Sequence, residues 1–287
     1  MGIDTHTLKF LIFVSRKKPL GRVATIGRAG LHVPKDKLRK IMKLDREVDY
    51  GGYCEDFLRE QFDASAVESF DKSDYENATH IADMNLPLKV SSAYDTVIDG
   101  GCLEHIYNLP QALENISRLC ADDGQIIHVL PANNLCGHGF WQFSPELFFS
   151  LYSKSNGYDE TQVFLADVTN EQQWYEVHRP QKGERVEIVS SASVFAMVRT
   201  RRAGSFSHKN VTQSDYEYIW ASHNDLDRPS PQPKPPFAGH IAKAAKSTFL
   251  LPLARSAERS WQRLFRPKKS LSVANPHLKK CEIELLC

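Results

Sequence analysis

The 287-residue chain lacks the features that assign many proteins at a glance. No apolar run approaches the roughly 20 residues needed to cross a bilayer, so a transmembrane helix is not expected. Lys and Arg total 36 against 35 Asp and Glu, a formal net charge of +1, and the chain has no broad basic stripe for a nucleic-acid backbone. The cysteines at 54, 102, 120, 136, 281 and 287 include no C-x-x-C pair. A chain this long needs no disulfide staples, so reduced thiols in a cytoplasmic protein are expected, and no metal site. Gly-x-Gly-x-x-Gly is absent and no Tyr-x-x-x-Lys follows, which disfavours a dinucleotide-dependent oxidoreductase. An N-terminal export signal is not expected either. Leu8 to Val14 is apolar but holds Lys9, and Arg16, Lys17 and Lys18 follow it rather than precede it. It reads as a packing helix or a lead-in to the first strand.

The informative stretch runs from Tyr94 to Asn134. Tyr94 to Asp99 is a β-rich run ending on an acid, and Gly100 and Gly101 then let the backbone turn tightly. Asn108 can cap the next helix, with Pro110 in its first turn and Gln111 at the capping-box position. Leu109, Ala112, Leu113, Ile116 and Leu119 follow helical spacing. Asp123-Gly124 is a turn, and Ile126 to Leu130 is a buried-strand run broken by Pro131. Half of a doubly wound α/β sheet is laid out here, with polar residues at the strand ends where such sheets bind ligands.

Other elements extend the pattern. Val23 to Ile26, Ala66 to Phe70 and Thr79 to Ala82 read as strands ending near Gly27, Asp71 and Asp83. Pro34 to Leu44 and Tyr53 to Phe62 read as helices. Ser144-Pro145 starts a helix and Asn156-Gly157 ends it. Gln162 to Ala166 and Val186 to Val198 form a closing antiparallel pair. Strands and helices alternate, as in an α/β sheet. The organisation expected is a lead-in (1–20), an α/β domain (21–205), an extension with a Pro-rich linker (206–238) and a basic C-terminal tail (239–287). Pro229 to Pro236 holds five prolines, and Ile241 to Lys269 holds eight Lys or Arg against one acid, interleaved with aromatic and aliphatic residues. Segment 241–269 is either a basic amphipathic element for a membrane surface or a helical appendage packed on its own domain.

The ordered set Asp95, Asp99, Leu103-Glu104-His105, Asp123-Gly124 and Pro131 resembles the fourth and fifth strands of class I S-adenosylmethionine-dependent methyltransferases, type 11-like. The likeness extends more loosely from about Arg22 to Arg202. It implies a doubly wound, mostly parallel, Rossmann-like sheet of seven strands with the last one antiparallel; the helical, basic C-terminal tail is read from composition alone. The likeness also implies S-adenosyl-L-methionine as cofactor.

On that resemblance, Gly27, Arg28 and Gly30 form the cofactor loop, although the acid before the first glycine and a third glycine are missing. Arg28 would hold the cofactor carboxylate. Asp71 matches the ribose-binding acid, since a carboxylate can accept two hydrogen bonds from a diol. Asp83 would face the adenine amine, or else form an Asx-turn, while Met84 covers the ring. Asp99 and Gly100 would lie beside the methionyl end. His138 and His105 are the candidate bases, with Glu104 orienting His105 or touching the cofactor. Glu104 and His105 could equally favour a helix start and cap locally. His138 sits between Gly137 and Gly139, ahead of Phe140, Trp141 and Phe143: a substrate wall, or a flexible loop with core aromatics. His128, inside an apolar strand, reads as a satisfied core histidine.

The expected activity is methyl transfer to an oxygen or nitrogen of a small molecule such as a sugar or other metabolite, with no nucleic-acid partner. The protein is expected in the cytoplasm, with 241–269 either at a membrane surface or packed on its own domain. The alternative is a methyltransferase-like module that binds or scaffolds without catalysis.

Overall fold

Among the described residues, nine strands form one sheet whose carboxyl edge collects the polar residues singled out above. The computed structural model describes residues 2–90, 94–181, 183–224, 270–272 and 274–283. The expectation of membrane contact through 241–269 lies outside the described residues, as does the Pro-rich linker.

The chain begins with a short strand β1 (Gly2–Ile3) and helix α1 (Thr5–Lys17). The Asp4 carboxylate accepts from the Thr7 N–H at 2.8 Å and caps α1. The apolar face of α1 is buried, with Phe10 edge-on to Phe164 and Trp174. Strand β2 (Arg22–Ile26) is followed by β3 (Gly30–Leu31), α2 (Lys35–Met42) and α3 (Cys54–Phe62). Next come β4 (Ala66–Asp71), β5 (His80–Ile81) and β6 (Tyr94–Asp99). Helix α4 (Leu109–Leu119), β7 (Cys120–Asn133) and α5 (Pro145–Leu151) complete the second half. Strands β8 (Tyr158–Asp167), β9 (Gln173–Val177) and β10 (Val194–Arg202) close the sheet; α6 (Ser214–Asn224) and β11 (Leu278–Glu282) follow.

The sheet order is β11-β9-β8-β10-β7-β6-β2-β4-β5. The parallel block runs from β7 through β6 and β2 to β4 and β5, and β10 is antiparallel to both β7 and β8. The seven strands from β5 to β8 therefore form the doubly wound sheet with an antiparallel last strand. The sequence expectation stops there; β9 and β11 add an antiparallel edge beyond it. Residues read as lead-in and tail thus contribute to the fold. Gly2–Lys17 supplies a strand and a packed helix, and Leu278–Glu282 pairs with β9. The tail's charge had masked a strand whose Leu278 and Cys281 are buried.

Helices cover both faces, burying one core under α4 and α5 and a second under α1, α2 and α3. Order reverses between β2 and β6: the chain winds outward from β2 to β4 and β5 on one side, and from β6 to β7 on the other. The carboxyl ends of β2 and β6 therefore bound the crevice where such sheets take ligands.

Three local expectations differ from the structure. Asn108 and Gln111 make no capping box: Asn108 donates to the Asn85 carbonyl at 3.0 Å and Gln111 donates to Asn115 Oδ1 at 3.1 Å. Tertiary partners outcompete the local cap. Helix α5 is capped by Ser144 as expected but ends at Leu151. Asn156-Gly157 closes a separate turn, Lys154–Asn156, with Gly157 at φ 89°. Strand β10 begins at Val194, not at Val186.

Candidate functional site at the carboxyl edge of the sheet

Asp99 ends β6 in register with Ile26 of β2 on one side and His128 of β7 on the other. It is fully buried, and its carboxylate is consumed by the protein. Oδ1 accepts from the N–H groups of Cys102 and Leu103 at 3.0 and 3.3 Å, and Oδ2 lies 2.9 Å from His128 Nδ1. His128 Nε2 is 2.7 Å from the Tyr152 hydroxyl. With the carboxylate as acceptor, Nδ1–H donates to Asp99 and Nε2 accepts from Tyr152. Burial pushes the Tyr152 hydroxyl well above its ordinary value, so it stays a donor. Asp99 thus holds the loop after β6 in place, whereas its strand-end position had suggested a contact to the methionyl end of a cofactor. His128 is satisfied and buried, as expected.

The loop that Asp99 holds forms a single helical turn, Leu103–His105. This turn buries Glu104, which is 1% exposed, and leaves His105 half exposed. The loop after β7 folds back onto it. The Phe140 N–H donates to the Glu104 carbonyl at 2.6 Å, and Trp141 Nε1 donates to the Ile106 carbonyl at 2.9 Å. Gly139 permits the docking: its φ is 86°, and a Cβ there would meet the Glu104 carbonyl oxygen at 2.6 Å. Docking brings His138 Nε2 to 3.3 Å from Glu104 Oε1, with His105 Nε2 at 3.9 Å from the same oxygen. The two imidazole rings meet edge to face at 5.2 Å. All three candidate catalytic residues are therefore together. Burial, with the Asp99 charge behind it, pushes the Glu104 carboxyl up to about 8. Burial, with His138 alongside, lowers the His105 pKa. Tyr107, Phe140 and Trp141 are exposed beside the cluster, and Tyr107 meets Phe140 edge-on.

The expected cofactor residues separate into two groups. Asp71 ends β4, accepting from the Arg28 N–H and from the Ser73 N–H, each at 3.3 Å. These long bonds leave acceptor capacity on both oxygens. Gly27 turns at φ 75° next to it. Ile81 of β5 is in register with Asp71 and is 57% exposed, an apolar surface that the sequence reading did not single out. Its signal was a large aliphatic residue at the end of a very short edge strand. Thr25, two residues before Gly27, has a buried hydroxyl with no hydrogen-bond partner among the described residues.

The second group is engaged elsewhere. Arg28 turns away from the β2–β6 crevice. Its Nε is 2.7 Å from Glu55 Oε1, it donates to the Glu76 carbonyl, and it lies 3.9 Å over the Tyr53 ring. Asp83 forms the Asx-turn, accepting from the N–H and side-chain amide of Asn85 at 2.9 and 2.7 Å. Those bonds, with Lys72 at 3.1 Å, lower its pKa. Met84 is buried in the core under α4 and α5. Gly30 pairs with Gly2, and the Gly100 carbonyl accepts from the Gly2 N–H at 3.0 Å. The backbone of β1 thus walls the crevice between the ends of β2 and β6. Sequence reasoning missed this segment because Gly2–Ile3 carries no motif; its contribution is backbone alone.

No protein-family model matches the sequence, and no curated protein sequence matches it. Among solved structures, the chain is similar to the N-methyltransferase NodS from Bradyrhizobium japonicum WM9: 11% identity over 69% of this chain and 94% of that one, TM-score 0.38. It is also similar to 1,6-didemethyltoxoflavin-N1-methyltransferase from Burkholderia thailandensis, solved with its substrate and S-adenosylhomocysteine: 13% identity over 70% and 78%, TM-score 0.39. Likeness at this level does not assign a function, which has to come from the crevice and its side chains.

Proposed function

We propose that this chain is an S-adenosylmethionine-dependent methyltransferase acting on an oxygen or nitrogen of a small molecule. The observation that carries the reading is the assembly of Glu104, His105 and His138 from two separate loops at the carboxyl ends of β6 and β7. That cluster adjoins the crevice where a doubly wound sheet takes its ligand. The sequence motif that suggested the activity lies in the first of those loops.

The nucleoside half of the crevice fits the cofactor. The Asp71 carboxylate has lone pairs left for a ribose diol, Gly27 gives the tight turn beside it, and Ile81 offers apolar surface to a purine. Asp83 retains a carboxylate at the same edge, while Met84 supports that edge from the core. The methionine half would be bounded by Gly27, Gly100 and the backbone of β1. When bound, S-adenosylmethionine supplies a methyl group on a sulfonium, an electrophile that already carries its leaving group.

The protein's part is then alignment, exclusion of water and removal of one proton. His138 is half exposed, and the exposed Phe140 and Trp141 belong to the same loop. With Nε2 toward Glu104, Nδ1 is the nitrogen left to accept the acceptor's proton, and the Glu104 carboxyl beneath stabilises the imidazolium formed. His105 flanks the pair. No helix among the described residues is long and apolar enough to cross a membrane.

Calorimetry with S-adenosylhomocysteine tests the reading. Binding that Asp71→Ala abolishes is the expected result. No binding at millimolar ligand would sink methyl transfer and leave the binding-module reading.

A further inference from the structure

Glu104 is an unusual residue to bury. Its Oε2 has no hydrogen-bond partner among the described residues, and no Lys or Arg forms an ion pair with it there. A buried carboxyl group with one oxygen left unmet is costly unless something satisfies it, so a partner outside the chain is indicated. Two imidazoles converge on its other oxygen at 3.3 and 3.9 Å, and the ligating atoms of all three residues lie within 4.8 Å of one another.

Donor atoms about 2.0–2.1 Å from a zinc ion in tetrahedral array are about 3.3 Å apart. The Glu104–His138 spacing already has that value, and closing the set requires His105 Nε2 to move in from 3.9 Å by about 0.6 Å, with the three atoms now within 4.8 Å of one another. Both histidines are about half exposed, so a cation can reach them, while the loop that carries Glu104 is tied to Asp99 through the Cys102 and Leu103 N–H groups. Two imidazoles and one carboxylate make a three-ligand set that leaves at least one position for water or substrate oxygen, the arrangement of a catalytic rather than a structural centre.

We infer that Glu104, His105 and His138 bind a first-row transition-metal dication such as Zn2+. Cys spacing carries no sign of this site, because its ligands are two histidines and a glutamate from two loops. On the methyl-transfer reading, on which this consequence rests, the cation would hold the acceptor through an oxygen and acidify it as a Lewis acid, replacing proton removal by His138 Nδ1. The acceptor class is then a hydroxyl or another oxygen nucleophile rather than an amine.

The test uses the full chain stripped with chelator and titrated with Co2+, followed by visible absorption, and with Zn2+ by calorimetry. One equivalent bound with micromolar or tighter affinity is expected. Glu104→Gln, His105→Ala and His138→Ala should each weaken it by more than about 100-fold, the upper end of what losing an outer partner of a metal site does. Circular dichroism checks that each variant folds; His138 lies on an exposed loop, so its variant keeps the test decisive if Glu104→Gln does not fold. No stoichiometric binding, binding unchanged in the three variants, or a thiolate-to-Co2+ charge-transfer band pointing to cysteine ligands would each overturn the site. The S-adenosylhomocysteine titration is a separate readout. Metal without nucleoside binding would overturn methyl transfer and spare the cation site, and the reverse result would do the opposite.

Discussion

Glu104 Oε1 lies 3.3 Å from His138 Nε2, although the two residues belong to different loops that follow different strands. Their meeting depends on a glycine, a backbone hydrogen bond and a buried acid.

Removing the imidazole of His138 should separate binding from turnover. His138→Ala is expected to keep the affinity for S-adenosylhomocysteine, because Asp71 and the β2 loop are untouched. It should lower kcat by about 10²–10⁴-fold, the range of a lost general acid–base group. Steady-state kinetics beside calorimetry measures both, and an unchanged kcat would remove His138 from the site.

The two glycines beside His138 should behave differently. Gly139 has φ 86° and would place a Cβ 2.6 Å from the Glu104 carbonyl oxygen, whereas a Cβ at Gly137 has open space and no positive φ. Gly139→Ala should cost about 1–2 kcal/mol of local backbone energy, undock the loop and reduce turnover about as much as His138→Ala. Gly137→Ala should leave turnover within a factor of two or so. Equal effects of the two substitutions would refute the docking role.

Asp99→Asn tests the buried relay. The amide can still accept from the Cys102 and Leu103 N–H groups, but its NH2 would oppose the His128 Nδ1–H. Realigning the His128–Tyr152 pair or leaving a donor unmet should destabilise the fold by about 1–3 kcal/mol. The denaturant midpoint reports this, and a midpoint equal to wild type would argue against the relay.

Acid stability should depend on Glu68. Its carboxylate accepts from Arg22 at 2.7 Å, from His80 at 2.7 Å and from the Tyr94 hydroxyl at 2.8 Å. The Arg22 and His80 bonds come first among the causes that hold its pKa down at about 2. A carboxyl depressed in the folded state stabilises it fully above the unfolded value near 4.3, and that stability is lost as pH falls toward 2. Thermal melts of Glu68→Gln should therefore be flatter than wild type between roughly pH 4.3 and 2 and lower above it. Parallel curves would show that the Glu68 interactions contribute nothing to acid sensitivity.

Much of this fold was legible one strand at a time. Tyr94 to Asp99 reads as β-rich because its apolar run meets two glycines, and the strand occupies those very residues. Ser144-Pro145 starts α5 because a side-chain cap and a proline at the first turn act locally. Where partners are distant in sequence, local reading had no purchase. Asn108 abandons its helix cap for Asn85, Arg28 leaves the crevice for Glu55 and Tyr53, and Leu278–Glu282 joins the sheet from within a stretch that reads only as charged.

The sequence by itself determined the alternation of strands and helices, the acids at the strand ends and the Glu-His pair after β6, because these follow from periodicity, turn chemistry and contiguous residues. Only the tertiary structure decided what those acids do. Asp71 stays open at the edge because β4 ends beside the β2 loop. Asp99 is closed because β7 sets His128 in register beside it. Glu104 acquires His138 because Gly139 lets one loop lie on another. Each outcome depends on which backbone segments lie side by side, and that is settled by packing across the sheet rather than by neighbours along the chain.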